Sequence, residues 1–235
     1  MLKLINNEFK KMGIFKIIIP FIIFLIVIII IFEFNDEMEN TIYNLIPFVG
    51  IVISMMFSGI ISSEIENGTF RFYLTKPISR SKIYQSKLLT IIIYLIILLI
   101  YIYFIYSVLC KEIDNNNFIK YVKYSSSLLL ISGLIILLST IFRNTPITVG
   151  ITILILTFGL LLTQILLDVK FKYVEYTFLP YMDFTFYNDE NTIEIMNKTY
   201  NINLSIKNGV YINIIYTYLF YIIGKQIFIK KDIRN

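Results

Sequence analysis

Several residue types on which soluble enzymes depend are scarce in this chain of 235 residues. It has no histidine, so the commonest metal ligand and proton shuttle among side chains is missing. Its single cysteine, Cys110, excludes an internal disulfide. Tryptophan is absent, and only 16% of the residues are charged, against about 25% in an average soluble domain. These shortages disfavour a soluble enzyme with a metal or histidine centre.

Apolar residues are abundant instead. They make up 57% of the chain, and the mean hydropathy is +0.75. A helix of about 20 apolar residues crosses a bilayer core of about 30 Å. We therefore predict an all-α, polytopic membrane protein, a single transmembrane domain over residues 1–235 with no room for a separate soluble domain. Six runs meet this criterion, at residues 14–32, 42–61, 88–109, 125–142, 147–167 and 210–229.

The first thirteen residues mix apolar and charged positions. Leu2, Ile5, Phe9 and Met12 recur at helical spacing between lysines, which predicts an amphipathic helix in the membrane interface. The alternative is that these residues are a charged N-terminal leader that forms no amphipathic helix. The apolar run that follows is long and ends without a small-residue cleavage site, so we expect the first span to be retained rather than removed as a signal peptide.

The distribution of charge predicts the orientation. Basic residues are spread over short loops rather than gathered on one face, so the net charge of +5 does not indicate nucleic acid as a partner. With six spans and both termini inside, 14 of the 21 lysines and arginines lie inside, whereas 12 of the 16 acidic residues lie outside. Because basic excess marks the cytoplasmic side, we predict a plasma-membrane protein with both termini cytoplasmic.

The longest polar interval of the first half, residues 62–87, lies between the spans at 14–61 and those at 88–167. Asn67 and Gly68 form a stop signal, since glycine tolerates the left-handed conformation that closes a helix. Thr69 is placed to cap a short helix over residues 70–75, and Pro77 prevents that helix from continuing. Ser79 is placed as the next cap. The pattern predicts a short amphipathic helix held between two membrane helices.

The interval carries a motif made of Glu64, Glu66, Gly68, Thr69, Arg71, Leu74, Pro77 and Arg80. With this motif it resembles the loop after the second membrane helix in ABC type-2 export permeases, the membrane subunits of ATP-driven exporters. The resemblance implies that the short helix is a coupling helix in a cleft of a separate ATP-binding subunit. It also implies a second permease copy, or a related permease, as partner within the membrane lipid. The carboxylates would fix the loop entry, glycine and proline would shape it, and the first arginine would pair with the partner.

Residues 168–209, before the last span and tail at 210–235, are expected outside the cell. Their first half crowds aromatic residues around Pro180, a density that is unusual for a disordered loop. We predict that it is ordered and folds back into the outer interface. In the family this resembles the re-entrant helices between the last two spans. Residues 188–208 are more polar and could form a small cap.

The predicted spans lack aspartate and glutamate, which disfavours ion-coupled transport and intramembrane hydrolysis. Gly224 and Lys225 are not part of a complete phosphate-binding loop, so we expect no cofactor and no ATP hydrolysis by this chain alone. The leading prediction is a non-catalytic permease subunit of an ABC exporter for a hydrophobic or amphipathic substrate, such as a peptide or antibiotic. The alternative is a non-transporting immunity or sensor protein that binds a peptide at its outer loop, and an integral membrane enzyme comes third.

Overall fold

The computed structural model describes residues 1–34, 41–69, 78–110, 115–169, 171, 173–188 and 190–231. Throughout these residues the regular structure is helical, and no strand occurs. The α-helices are α1 (Leu2–Met12), α2 (Ile14–Phe34), α3 (Thr41–Phe57), α4 (Ser62–Glu66), α5 (Arg80–Cys110), α6 (Asn115–Ile141), α7 (Thr145–Asp168), α8 (Glu190–Tyr200) and α9 (Ile206–Lys230).

Among the described residues, five helical stretches are long and apolar enough to cross a membrane. They are Ile14–Glu33, Ile42–Glu66, Arg80–Cys110, Asn115–Ile141 and Ile206–Lys230. Helix α7 provides a sixth if its two parts, which meet at a bend of 53° after Gly159, form one span. The predicted all-α, multi-pass architecture is therefore confirmed.

Helix α6 is the centre of the bundle. In its apolar segment 72% of the residues are buried, whereas in the apolar segments of α2 and α9 only 17% are. It packs along α9 and against α3 and α7. Gly133 allows the close approach of α9, because a Cβ atom at this position would lie 3.2 Å from backbone atoms of Thr217. Small residues thus let two long helices pack backbone to backbone.

One predicted boundary is wrong. The fourth span was predicted to begin at residue 125, but α6 already begins at Asn115. Tyr121 explains the longer helix, since its ring is buried beside Tyr103 and its hydroxyl donates to the Leu99 carbonyl at 3.1 Å. Helix α5 begins at Arg80, directly after the predicted cap at Ser79, and continues through the apolar run predicted from residue 88.

The chain reverses at both ends of the bundle. The end at which Glu64, Lys87, Arg143 and Lys231 lie is called the basic end below. At the opposite end, three 3₁₀ turns cover the helices, at Val174–Tyr176, Leu179–Tyr181 and Thr185–Asn188, and α8 follows them.

Candidate functional site

Four charged side chains form a cluster at the basic end, called the ion cluster, in which Glu8, Glu64 and Lys87 are largely buried and Lys11 is 47% exposed. Lys87 of α5 is 0% exposed, and its ammonium lies 3.0 Å from Glu8 Oε2 and 2.8 Å from Glu64 Oε2. Lys11 lies 3.4 Å from Glu8 Oε1 and 2.6 Å from Glu64 Oε1. The Lys87–Glu64 contact is an ion pair by distance, although its angles are not those of a hydrogen bond. Counted over the described residues, the two carboxylates balance the two ammonium groups.

The ion cluster joins three separate parts of the chain. Glu8 and Lys11 lie on α1, Glu64 lies on α4, and Lys87 lies on α5. A buried charge that loses its counter-charge is strongly unfavourable, so each of these helices is held to the other two.

The second span is broken just before the ion cluster. Helix α3 ends at Phe57, and the chain resumes as α4 at Ser62. The backbone N–H groups of Ile61 and Ser62 donate to Ser139 Oγ of α6 at 2.9 and 3.1 Å. The Ile60 carbonyl accepts from Lys87 Nζ at 2.8 Å. Backbone groups that the break leaves without helical partners are thus satisfied by two other helices.

Glu66 is directed at the start of α7. Its Oε2 atom accepts from the Thr145 backbone N–H at 3.1 Å and from the Thr145 hydroxyl at 2.8 Å. Asn144 also caps this helix by accepting from the Ile147 N–H. A carboxylate at a helix N-terminus is favoured by the free N–H groups and the helix dipole. Glu66 therefore holds α4 to α7, in addition to ending the apolar run.

The predicted stop after α4 is confirmed at the backbone. Gly68 has φ +68°, with open space around the position of a Cβ atom, and its N–H donates to the Ile65 carbonyl at 3.1 Å. The Thr69 hydroxyl donates back to the Glu64 carbonyl at 3.3 Å. Its predicted role as cap of a helix over residues 70–75 lies outside the described residues. Arg71, Leu74 and Pro77 lie outside them too.

Arg80 has a partner within the chain. Its Nη1 atom donates to the carbonyls of Ile229 and Lys231 at 3.0 and 2.9 Å, at the C-terminus of α9. Lys231 in turn donates to the Thr140 carbonyl, and to that of Ile141 at 3.3 Å, at the end of α6. Burial lowers the pKa of Lys231, and a nearby arginine, Arg143, adds to this effect. These contacts hold α5, α6 and α9 together at the basic end.

The predicted cap at Ser79 is confirmed, since its hydroxyl accepts from the Lys82 N–H at 3.4 Å. The residues that sequence reasoning missed are Glu8 and Lys11 as partners of the loop and Ser139 as the acceptor at the break. A signal for Glu8 existed, because it lies within the apolar stripe of α1 three residues after the buried Ile5. The sequence around Ser139 contains no feature that predicts its hydroxyl as the acceptor at the break.

The aromatic segment at the opposite end is folded, as predicted. Tyr181, Phe184 and Tyr187 are buried and pack ring against ring, and Phe184 also contacts Tyr124 of α6. The buried amide of Asn213 on α9 donates to the Tyr181 carbonyl at 3.1 Å. The re-entrant placement of this segment in the outer interface stays a prediction.

Comparison with known proteins shows the family to which the chain belongs. Residues 32–234 match the family described as "Protein of unknown function (DUF2705)". The chain belongs to this family. The matched range includes the polar interval 62–87 and the broken second span. It also includes Glu64 and Lys87 of the ion cluster.

Two relatives come from Bacillus subtilis (strain 168). An uncharacterized protein, YhcI, is 25% identical over 212 residues, which cover 79% of this chain and 65% of YhcI. The chain thus aligns with somewhat less than two thirds of that relative. An uncharacterized membrane protein, YdbK, is 25% identical over 191 residues, which cover 74% of each chain. The apolar helices and this second similarity both support a multi-pass membrane protein.

Proposed function

We propose that the chain is the permease subunit of an ABC exporter and that residues 62–87 dock and couple a separate ATP-binding subunit. The observation that carries the proposal is that both flanks of this polar interval are fastened by one ion cluster. Glu64 lies before the predicted coupling helix and Lys87 lies after it, yet their charged groups are 2.8 Å apart.

This arrangement suits a segment that receives force. A helix that is bound by a partner can move the membrane spans only if the residues on either side of the helix contact those spans. A flexible linker would not transmit the movement. Here α4 is joined to α1 and α5 through the ion cluster, to α6 through Ser139 and to α7 through Glu66. A displacement of the interval would therefore be passed to four neighbouring helices.

The expected substrate is hydrophobic or amphipathic, because the surface offers large apolar grooves between spans. The translocation route would lie at the seam between two permease copies, or between this chain and a related one. ATP would be hydrolysed by the partner subunit. Both termini would be cytoplasmic, with the basic end inside the cell.

The test is the recovery of an ATP-hydrolysing partner with the tagged chain from membranes of its native host. Gly68→Val should weaken both association and ATPase activity several-fold, since a β-branched residue at φ +68° is strained by about 1–2 kcal/mol. Arg71→Glu should do the same by reversing the charge that is predicted to pair with the partner. Both variants should insert normally, because neither residue lies in a span.

Gly13→Val is the matched control. Gly13 also has a positive φ, +75°, and open space around it, but it joins α1 to α2 outside the interval. Unaltered partner recovery and ATPase activity in both Gly68→Val and Arg71→Glu would contradict the coupling role. That result would favour the sensor or immunity alternative, in which the outer segment binds a peptide.

A further inference from the structure

An apolar groove opens on the bundle surface between α5, α6 and α9, near the basic end. Its volume is about 570 Å³. Leu89 and Ile92 of α5, Leu129 of α6, and Ile214 and Tyr218 of α9 form its walls. From Ile214 to the last lining residue of α9, Tyr221, the groove extends about 10 Å along the helix. It therefore occupies much of one leaflet of the hydrocarbon core, which is about 15 Å deep.

Two lysines lie on the groove helices just beyond the lining residues Gln85 and Tyr221, toward the basic end. Lys82 precedes Leu89 by two helical turns and lies on the same face of α5. Lys225 follows Tyr221 by one turn on α9, and its ammonium lies 5.7 Å from the centre of the Tyr221 ring. Between them, Gln85 Nε2 donates to the Tyr221 hydroxyl at 3.0 Å and bridges the two helices. On both α5 and α9, the apolar lining residues are thus followed by a lysine in the direction of the basic end.

The helices that form the groove carry no acidic residue that could balance the charge of Lys82 and Lys225. Helices α5, α6 and α9 contain no aspartate or glutamate over their whole lengths. Three glutamates of α1 and α4 have other partners, since Glu8 and Glu64 belong to the ion cluster and Glu66 binds Thr145. Among the described residues, Lys82 and Lys225 form no ion pair.

We propose that this groove binds an anionic glycerophospholipid. One acyl chain lies along the apolar walls, and the phosphate lies between Lys82 and Lys225, with the Tyr221 hydroxyl as a further donor. The charge pattern favours a net negative headgroup, because two lysines that pair with no carboxylate among the described residues attract an anion more strongly than a zwitterion. The charge distribution predicts that this lipid comes from the cytoplasmic leaflet. The proposal holds whether or not the chain is an exporter subunit.

The absence of tryptophan makes a direct test possible, because a single introduced tryptophan is then the only one. Tyr218→Trp places the reporter on the groove wall, at a position that is 62% exposed. In vesicles of phosphatidylcholine, brominated phosphatidylglycerol should quench this reporter at a mole fraction about tenfold lower than brominated phosphatidylcholine. Leu89→Trp, on the facing wall, is a second reporter if the first variant folds poorly.

Neutralising the lysines should remove the preference. In the Tyr218→Trp background, Lys82→Gln with Lys225→Gln should bring the two lipids to equal quenching. Lys230→Gln is the matched control, since this lysine is at the same end of α9 but nine residues after Tyr221, on the opposite face. It should leave the tenfold preference intact. A Phe104→Trp reporter, in a groove of about 500 Å³ further along α5, should not respond to the double neutralisation.

Two outcomes would overturn the proposal. Equal quenching by both lipids with Lys82 and Lys225 present would mean that the groove takes acyl chains without regard to headgroup. No quenching by either lipid, together with cross-linking between two chains that carry cysteine at position 218, would mean that a second copy covers the groove.

Discussion

Lys87 is the most informative single residue of the chain. It is a lysine with no exposed surface in a helix of a membrane protein, and it contacts two carboxylates and one backbone carbonyl. Such a side chain is retained as a charge only if its partners stay in place. Its position thus depends on α1, on α4 and on the break before α4 at the same time.

Replacing Lys87 by methionine should destabilise the protein by about 3–5 kcal/mol, because Glu8 and Glu64 would lose the buried ammonium group that lies within 3.0 Å of both. Adding Glu8→Gln to Lys87→Met should recover part of the loss by restoring neutrality. Unfolding in detergent micelles titrated with sodium dodecyl sulfate measures both effects. Lys198→Gln, at a pair on the surface of α8, should leave the midpoint unchanged. A Lys87→Met midpoint equal to that of the control would contradict the role of the ion cluster.

At the scale of elements, the broken second span determines the geometry of the basic end. The break between α3 and α4 turns the chain toward Glu64 and Glu66, and it is stabilised from α6 by the Ser139 hydroxyl. A close approach makes this possible, since a Cβ atom on Gly59 would lie 2.7 Å from Thr145 Cγ2.

Ser139→Ala should cost about 1–3 kcal/mol of stability, because the buried N–H groups of Ile61 and Ser62 would lose their acceptor. Ser107→Ala provides the comparison, since the Ser107 hydroxyl is exposed and bonds only to the Phe104 carbonyl of its own helix. Hydrogen exchange should also quicken at residues 61 and 62 in the first variant alone. Equal stability of the two variants would show that the break does not depend on Ser139.

The contact between α5 and α9 depends on Gly224. A Cβ atom there would lie 2.1 Å from the Tyr84 hydroxyl oxygen, so Gly224→Ala should destabilise by about 1–3 kcal/mol through overpacking. Tyr84→Phe should be close to neutral alone, since that buried hydroxyl has no partner among the described residues. The double variant should be more stable than Gly224→Ala. Thermal unfolding followed by circular dichroism tests this, and no recovery in the double variant would contradict the packing argument.

For the whole molecule, the central question is which end faces the cytoplasm. The charge distribution predicts the basic end, and the described structure gathers Arg80, Arg143 and Lys231 there around the ends of α6 and α9. The aromatic turns and α8 lie at the opposite end. Six spans would place these two ends on different sides of the membrane.

Single cysteines in a Cys110→Ala background test this orientation. Lys198→Cys on α8 should react with an impermeant thiol reagent added to intact cells, because its side chain is 75% exposed at the opposite end. Lys230→Cys should react only after the cells are opened. Labelling of both cysteines from outside would contradict the six-span orientation.

The sequence by itself determined what depends on local chemistry. Long apolar runs specified the spans, Gly68 specified a left-handed stop, and Ser79 specified a helix start, because each acts through its own residue and its near neighbours. The aromatic density around Pro180 was enough to predict an ordered segment. Motif residues in the range 70–77 remain predictions.

Only the tertiary structure decided which distant groups meet. Lys87 and Glu8 are 79 residues apart, and Ser139 bonds to backbone groups 77 and 78 residues away. These partnerships depend on how each helix is rotated about its axis and how closely it packs, which follows from the combined shapes of all the helices. Arg80, whose role in coupling stays a prediction, binds the end of α9, since the fold brings unsatisfied carbonyls within its reach.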